Sequence, residues 1–154
     1  MRILRDARQT MIAASLLFPI AFGGPRRVEA QPNQSFVVIV NAASPLQSLT
    51  RAQVSNVFLK KEAVLPGGHQ AMPVDLDGRN RIRSEFSQYI HRKSMVAVGN
   101  YWKQQIFAGK EVPPPAMASE DDIITFVRGN PDAVGYVSAS HPLGAGIRVL
   151  RIED

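Results

Sequence analysis

The chain has 154 residues, 18 Lys and Arg against 13 Asp and Glu, a formal charge of +5, and no cysteine. That length holds one ordinary domain, and 45% apolar with 20% charged residues is a globular composition, which excludes a disordered chain. The missing cysteines exclude a disulfide framework, a thiolate metal site, a cysteine nucleophile and a lipid-modified cysteine anchor.

The N-terminus begins with Arg2, Arg5 and Arg8 against a single Asp6. An uncharged, mostly apolar run from Thr10 to Phe22 follows, then Gly23-Gly24-Pro25 and Val28-Glu29-Ala30. This order predicts a secretory signal peptide over residues 1–30, cut near Ala30, and hence a periplasmic mature domain over 31–154. The apolar run is shorter than the roughly 17–25 residues of a spanning helix, so the mature chain is expected not to span a membrane; the alternative is an uncut N-terminal anchor. Removing residues 1–30 takes away five basic and two acidic residues and leaves 13 against 11, a net +2 over 124 residues. No clustered basic stripe and no nucleic-acid motif survives, so no nucleic-acid partner is expected.

Phe36 to Val40 is a continuous β-branched and aromatic run, which predicts a strand buried on both faces. Thr50-Arg51-Ala52-Gln53 reads as a capping box with Leu49 and Val54 as a hydrophobic staple, opening a helix near 51–60. Pro66-Gly67-Gly68 is a turn, and Ala71 to Asp75 a short strand that Pro73 places at an edge or an end. Asp77-Gly78-Arg79-Asn80 is the next turn. Ile82, Phe86, Tyr89 and Ile90 then form a helical stripe. Ser94 caps another helix, with Val98, Tyr101, Trp102, Ile106 and Phe107 expected inward and Gly109 as the stop. Ser119-Glu120-Asp121-Asp122 caps a helix carrying Ile123, Ile124, Phe126 and Val127, ended by Gly129-Asn130-Pro131. Ala133 to Val137 and Ile147 to Ile152 are the last strands. The order β-α-β-α-α-α-β-β argues for one α/β domain with a mixed sheet covered by helices.

Several stretches together resemble the periplasmic phosphate-binding proteins of ABC transporters, and the chain is similar to their second lobe alone. They are Phe36-Val37-Val38-Ile39-Val40-Asn41, the helix Leu49 to Lys60, Met72-Pro73-Val74-Asp75, Arg83 with Phe86, Tyr101-Trp102-Lys103, and Pro131-Asp132-Ala133-Val134-Gly135-Tyr136-Val137. The last is similar to that family's Pro-Gly-Ala-Ile-Gly-Tyr signature. The resemblance covers nearly all of residues 36–140 and implies a single lobe of a type II periplasmic-binding-protein-like fold, a mixed sheet with flanking helices.

In that family a Ser-Gly-Thr turn opens the helix equivalent to 81–92 and holds the anion on hydroxyls and backbone N–H groups. Counting back from Phe86 puts Asn80, Arg81 and Ile82 on those positions; aligning on Asp77-Gly78 puts Arg79, Asn80 and Arg81 there. The family's earlier Arg falls near Leu76. The resemblance therefore implies a modified anion site at Arg79, Asn80 and Arg81, with Arg79 standing outside the helix, and the alternative is a solvated turn in which Asn80 serves only as a cap. Asn41 and Ser138 resemble inter-lobe crossover positions but read as ordinary strand ends.

His69, His91 and His141 have no metal-ligand spacing and no carboxylate placed beside them by the sequence, so they are expected at the surface. Lys60-Lys61 reads as a charged helix end without a partner. No Gly-x-Ser-x-Gly, His-Glu-x-x-His or P-loop is present, which gives no nucleophile–base set, no enzyme and no cofactor. Two functions follow. One is a substrate-binding module for phosphate or a related oxyanion. The other is an interaction module that has lost its ligand site and docks on an envelope or transporter protein, or on a second copy.

Overall fold

The computed structural model describes residues 34–65 and 67–154; the expected signal peptide over 1–30, its cleavage point and Pro66 lie outside the described residues.

Two strands with almost no polar side chain form the centre. Strand β1 (Phe36–Asn41) pairs antiparallel with β8 (Ala133–Ser138), with Val38 opposite Tyr136 and Ile39 opposite Gly135. Antiparallel β9 (Ile147–Glu153) lies on the other side of β1. Two short parallel strands close the edges: β2 (Ser48–Thr50) on β9 and β5 (Met72–Pro73) on β8. The sheet is thus mixed, in the order β2-β9-β1-β8-β5. Pro73 sits in an edge strand, as a residue without an N–H must. All of β8 except Ser138 is buried, and so is all of β1 except Val37, because helices cover both faces.

Side chains alternate across a strand, and the two faces of β8 take different partners. On one face Gly135 leaves room for α4 (Glu120–Gly129): a Cβ there would stand 2.7 Å from Ile123 Cγ2 and 3.1 Å from Val127 Cγ2. On the other face Tyr136 meets an aromatic cluster of Phe36, Phe58 and Phe86. Phe58 comes from α1 (Arg51–Phe58) and Phe86 ends α2 (Arg81–Phe86).

The helix starts follow their sequence signals. Thr50 and Gln53 form both halves of the capping box, and Leu49 and Val54 are buried beside it. Ser94 and Ser119 each accept an N–H three residues on, at 3.2 and 3.1 Å. Glu120, Asp121 and Asp122 fill the first turn of α4 and Arg128 its last, which suits the helix dipole.

Several expectations are corrected. The stripe Ile82, Phe86, Tyr89, Ile90 is real, but the helix widens after Phe86 into a π-helical turn, Ser87–His91, ended by Arg92 in the left-handed region. The strand expected over 71–75 splits around Val74 into β5 and β6 (Asp75–Leu76), and β6 pairs with β7 (Ala116–Met117). The hairpin of β3 (Val64–Leu65) and β4 (His69–Gln70) and the strands β2 and β7 carry too few residues for a periodicity to register. Lys60 and Lys61 both have partners: Lys60 reaches Glu111 at 3.8 Å and Lys61 lies over the Tyr101 ring.

The largest departure concerns α3 (Met95–Phe107). Val98 and Trp102 are buried and pack on Leu59, and Tyr101 donates to the Leu59 carbonyl at 2.8 Å. Ile106 and Phe107, expected inward, are instead 52% and 94% exposed. The physical reason differs for the two: Phe107 stands nine residues after Val98, half a turn round the helix from the buried stripe, and Ile106, one turn beyond Trp102, lies outside the cluster of Leu59, Val98 and Trp102.

Candidate functional site

Arg79, Asn80 and Arg81 lie on the turn between β6 and α2. The turn is built locally. Asp77 accepts the Arg79 N–H on its carboxylate at 2.9 Å and the Asn80 N–H on its carbonyl at 3.0 Å. Asn80 is the N-cap of α2, its side-chain oxygen accepting the Ile82 N–H at 2.8 Å. Its NH2 group has no acceptor among the described residues.

Both flanking arginines already hold a carboxylate. Arg79 pairs with Asp77 at 3.2 Å and Arg81 with Glu85 at 3.1 Å. The Arg79 hydrogen bonds, backbone first and then side chain, hold the Asp77 carboxyl below its ordinary range, and Asp77 in turn raises Arg79. These side chains are 91% and 81% exposed on the arginine side, and exposed pairs of this kind contribute little to stability.

Beneath the turn lies a cluster whose members come from separate stretches of the sequence. Arg83 Nη2 is 2.9 Å from Asp75 Oδ2, and both side chains are largely buried. The Tyr136 hydroxyl donates to Asp75 Oδ1, which also accepts the Leu76 N–H at 2.9 Å. Burial pushes the Asp75 carboxyl up and keeps it above its ordinary value, although the Arg83 charge and the Tyr136 and Leu76 hydrogen bonds oppose the rise. Burial and the adjacent carboxylate push the Tyr136 phenol well above its ordinary value. Gly78 sits close over this pair: a Cβ there would stand 3.5 Å from Arg83 Nη1. The signal available in sequence was an aspartate inside an apolar strand, Val74-Asp75-Leu76, which calls for a buried partner; nothing local points to Arg83 or Tyr136 as that partner.

Two histidine expectations are overturned. His91 is largely buried. It shares a 2.8 Å hydrogen bond with Ser55 Oγ, and burial, helped by the charges of Lys61, Lys93 and Arg83, holds it down at about 4. Ser55 and His91 are a hydroxyl–imidazole pair, but no carboxylate contacts His91 among the described residues, and Ser55 stands inside α1, where the backbone N–H groups are engaged in the helix. The pair ties α1 to the π-helical turn and lacks the orienting group and oxyanion donors of a hydrolase. His141 is paired with carboxylates after all, Nε2 at 3.0 Å from Asp121 and Nδ1 at 3.6 Å from Glu120. Glu120 also accepts the Ser138 N–H, so this group fastens the start of α4 to the end of β8. Asn41 does the same at the other end of α4, donating to the Val127 and Arg128 carbonyls at 3.0 and 2.8 Å. Among the described residues no three His, Asp or Glu gather as a metal-ligand set, and no helix is long and apolar enough to cross a membrane.

No protein-family model matches the chain, and no curated protein matches its sequence. Solved structures do match its fold. An ABC-type phosphate transport receptor from Vibrio cholerae superposes with a TM-score of 0.59 at 18% identity, over 77% of this chain and 46% of the receptor. A Clostridium perfringens protein with bound phosphate, assigned as a phosphate ABC transporter substrate-binding protein, gives 0.60 at 16% identity, over 77% and 44%. PstS from Borrelia burgdorferi gives 0.60 at 11% identity, over 77% and 47%. The chain thus spans less than half the length of these proteins. At such identities the likeness is one of fold: the chain has the mixed α/β fold of part of a phosphate-receptor-type periplasmic binding protein.

Proposed function

We propose that this protein is an exported substrate-binding module that takes phosphate or a related oxyanion weakly at the turn formed by Arg79, Asn80 and Arg81. The observation that carries the reading is the fold shared with phosphate receptors, together with three guanidinium groups, Arg79, Arg81 and Arg83, within five residues of one turn. Two of them are exposed and held only by exchangeable surface pairs. The third is anchored on buried Asp75. Guanidinium forks and a carboxamide NH2 are the donors an oxyanion needs. Each arginine is balanced by a carboxylate of its own, and the two outer ones stand exposed to water in a high-dielectric setting, so the affinity is low. The solved structures named above are a phosphate receptor and substrate-binding proteins, and we read this chain as a binder and not an enzyme, acting in the periplasm after removal of residues 1–30.

The test is calorimetry and thermal shift of the purified chain against phosphate, sulfate and a phosphonate. A midpoint that rises with phosphate concentration supports the reading. Binding that persists unchanged in Arg79→Ala with Asn80→Ala refutes this site. No response to any of the anions favours the second reading, a docking module, for which the exposed end of α3 is the supporting feature.

A further inference from the structure

Helix α3 has two opposite faces of unusual character. Val98, Tyr101, Trp102 and Gln105 form the inward stripe. Val96, Asn100, Lys103 and Phe107 recur at the spacing of the opposite stripe, and all four are exposed. Val96 is 73% and Phe107 94% exposed, with half-exposed Ile106 beside Phe107. An outward stripe of a surface helix is normally polar; here large apolar groups stand at both of its ends.

The charge around this stripe is one-sided. From Phe86 to Lys110 the chain carries Arg92, Lys93, Lys103 and Lys110 and no carboxylate at all. All four are exposed, and none forms an ion pair among the described residues. Arg92 and Lys93 precede the helix, Lys103 lies on the stripe itself, and Lys110 follows the helix end. Of the 13 basic and 11 acidic residues over 31–154, this segment holds four and none, which leaves the rest of that stretch with nine against eleven, a net negative body. The unpaired cations therefore fall in the stretch of sequence that also carries exposed Val96, Ile106 and Phe107.

Apolar side chains exposed on one face of a helix, with an unpaired lysine on that face and unpaired cations before and after the helix, suit an interface in which hydrocarbon lies beneath anionic headgroups. A protein partner would need a matching apolar pocket ringed by acids; a bilayer supplies both layers over any area. We propose that the outer face of α3 docks on the surface of an anionic phospholipid membrane, with Phe107, Ile106 and Val96 entering the headgroup–acyl boundary and Lys103, Lys110, Arg92 and Lys93 held by lipid phosphates. The inference is independent of anion binding at the turn 79–81.

The chain has no cysteine, so single environment-sensitive labels report on one position. The full chain is labelled at Asn100→Cys, on the stripe, or at Thr125→Cys, exposed on α4, and mixed with vesicles of phosphatidylcholine alone or with phosphatidylglycerol. The Asn100→Cys label is expected to brighten and shift blue on the anionic vesicles only, and to reverse in high salt, while the Thr125→Cys label stays unchanged. Adding Phe107→Ser, or Lys103→Glu with Lys110→Glu, is expected to weaken that response about tenfold or more, with the circular dichroism of the fold retained. The proposal is overturned if the Asn100→Cys label responds equally to both vesicle types or to neither. It is also overturned if the response survives those substitutions, or if vesicles bind the chain while that label stays silent, which would assign binding to residues 1–30. A shift without vesicles that tracks a doubled mass in light scattering would overturn it in favour of a second copy of the chain.

Discussion

The ring of Phe86 lies flat on the ring of Tyr136, centroids 3.9 Å apart and planes 5° from parallel. This contact joins the end of α2 to the centre of β8, and so sets where the turn bearing Arg79, Asn80 and Arg81 stands relative to the sheet. The same tyrosine hydroxyl bonds Asp75, which holds Arg83. One residue therefore links the aromatic core to the charged pair beneath the candidate site.

Phe86→Ala removes a fully buried ring and leaves a cavity among Phe36, Phe58 and Tyr136. It is expected to cost ~3–5 kcal/mol, read as a lower denaturant midpoint at unchanged m-value. Tyr136→Phe keeps the stack and deletes the donor to buried Asp75. The expected loss is ~1–3 kcal/mol, and a midpoint equal to the parent protein would show that Asp75 is satisfied without the phenol.

His91 gives the fold an acid limit. Its folded value of about 4 lies below the 6.5 of the free side chain, so between those values the unfolded chain binds more protons than the native one. Stability from this group is complete above pH 6.5 and is lost as pH falls toward 4, by about 3 kcal/mol in all. His91→Gln keeps a hydrogen-bonding group against Ser55 and cannot titrate. Urea midpoints measured from pH 4 to 7 should fall less steeply in that variant; identical slopes would remove His91 as the cause.

Gly135→Ala should disturb the packing of α4 without touching the candidate site. The added Cβ meets Ile123 Cγ2 at 2.7 Å, with Val127 and Val74 side chains near 3.1 and 3.2 Å. Overpacking of this kind costs ~1–3 kcal/mol, visible as a lowered Tm, while oxyanion titrations of the folded variant should match the parent.

Arg79→Ala should separate binding from stability. The side chain is almost fully exposed, so the Tm should stay where it is, while phosphate affinity falls roughly tenfold or more, the loss expected for a hydrogen bond to a charged group. An affinity unchanged by calorimetry would move the anion away from this turn.

Export is checked at the N-terminus. Mass spectrometry of the envelope fraction should find a chain beginning near Gln31, and an intact Met1 or Arg2 terminus would instead leave residues 1–30 as an uncut anchor.

The sequence by itself determined the elements whose signals are local. The run Phe36 to Val40 had to be a buried strand because it has no polar face. Thr50 with Gln53, Ser94 and Ser119 had to start helices because their side chains satisfy N–H groups only a few residues away. The mixed α/β order followed from those signals, and the resemblance carried by the strand 36–41 and the stretch 131–137 named the fold that the solved structures share. What tertiary structure alone decided are relations across long stretches of chain. Asp75 finds Tyr136 sixty-one residues on, and Ser55 finds His91. His141 finds Glu120 and Asp121 because the end of β8 runs beside the start of α4. The exposure of Ile106 was of this kind too: its spacing continues the stripe of Val98 and Trp102, but periodicity says only which residues share a face; Phe107 stands on the opposite face by that same spacing. Whether a face is covered depends on how far the neighbouring elements reach, and Ile106 is left 52% exposed.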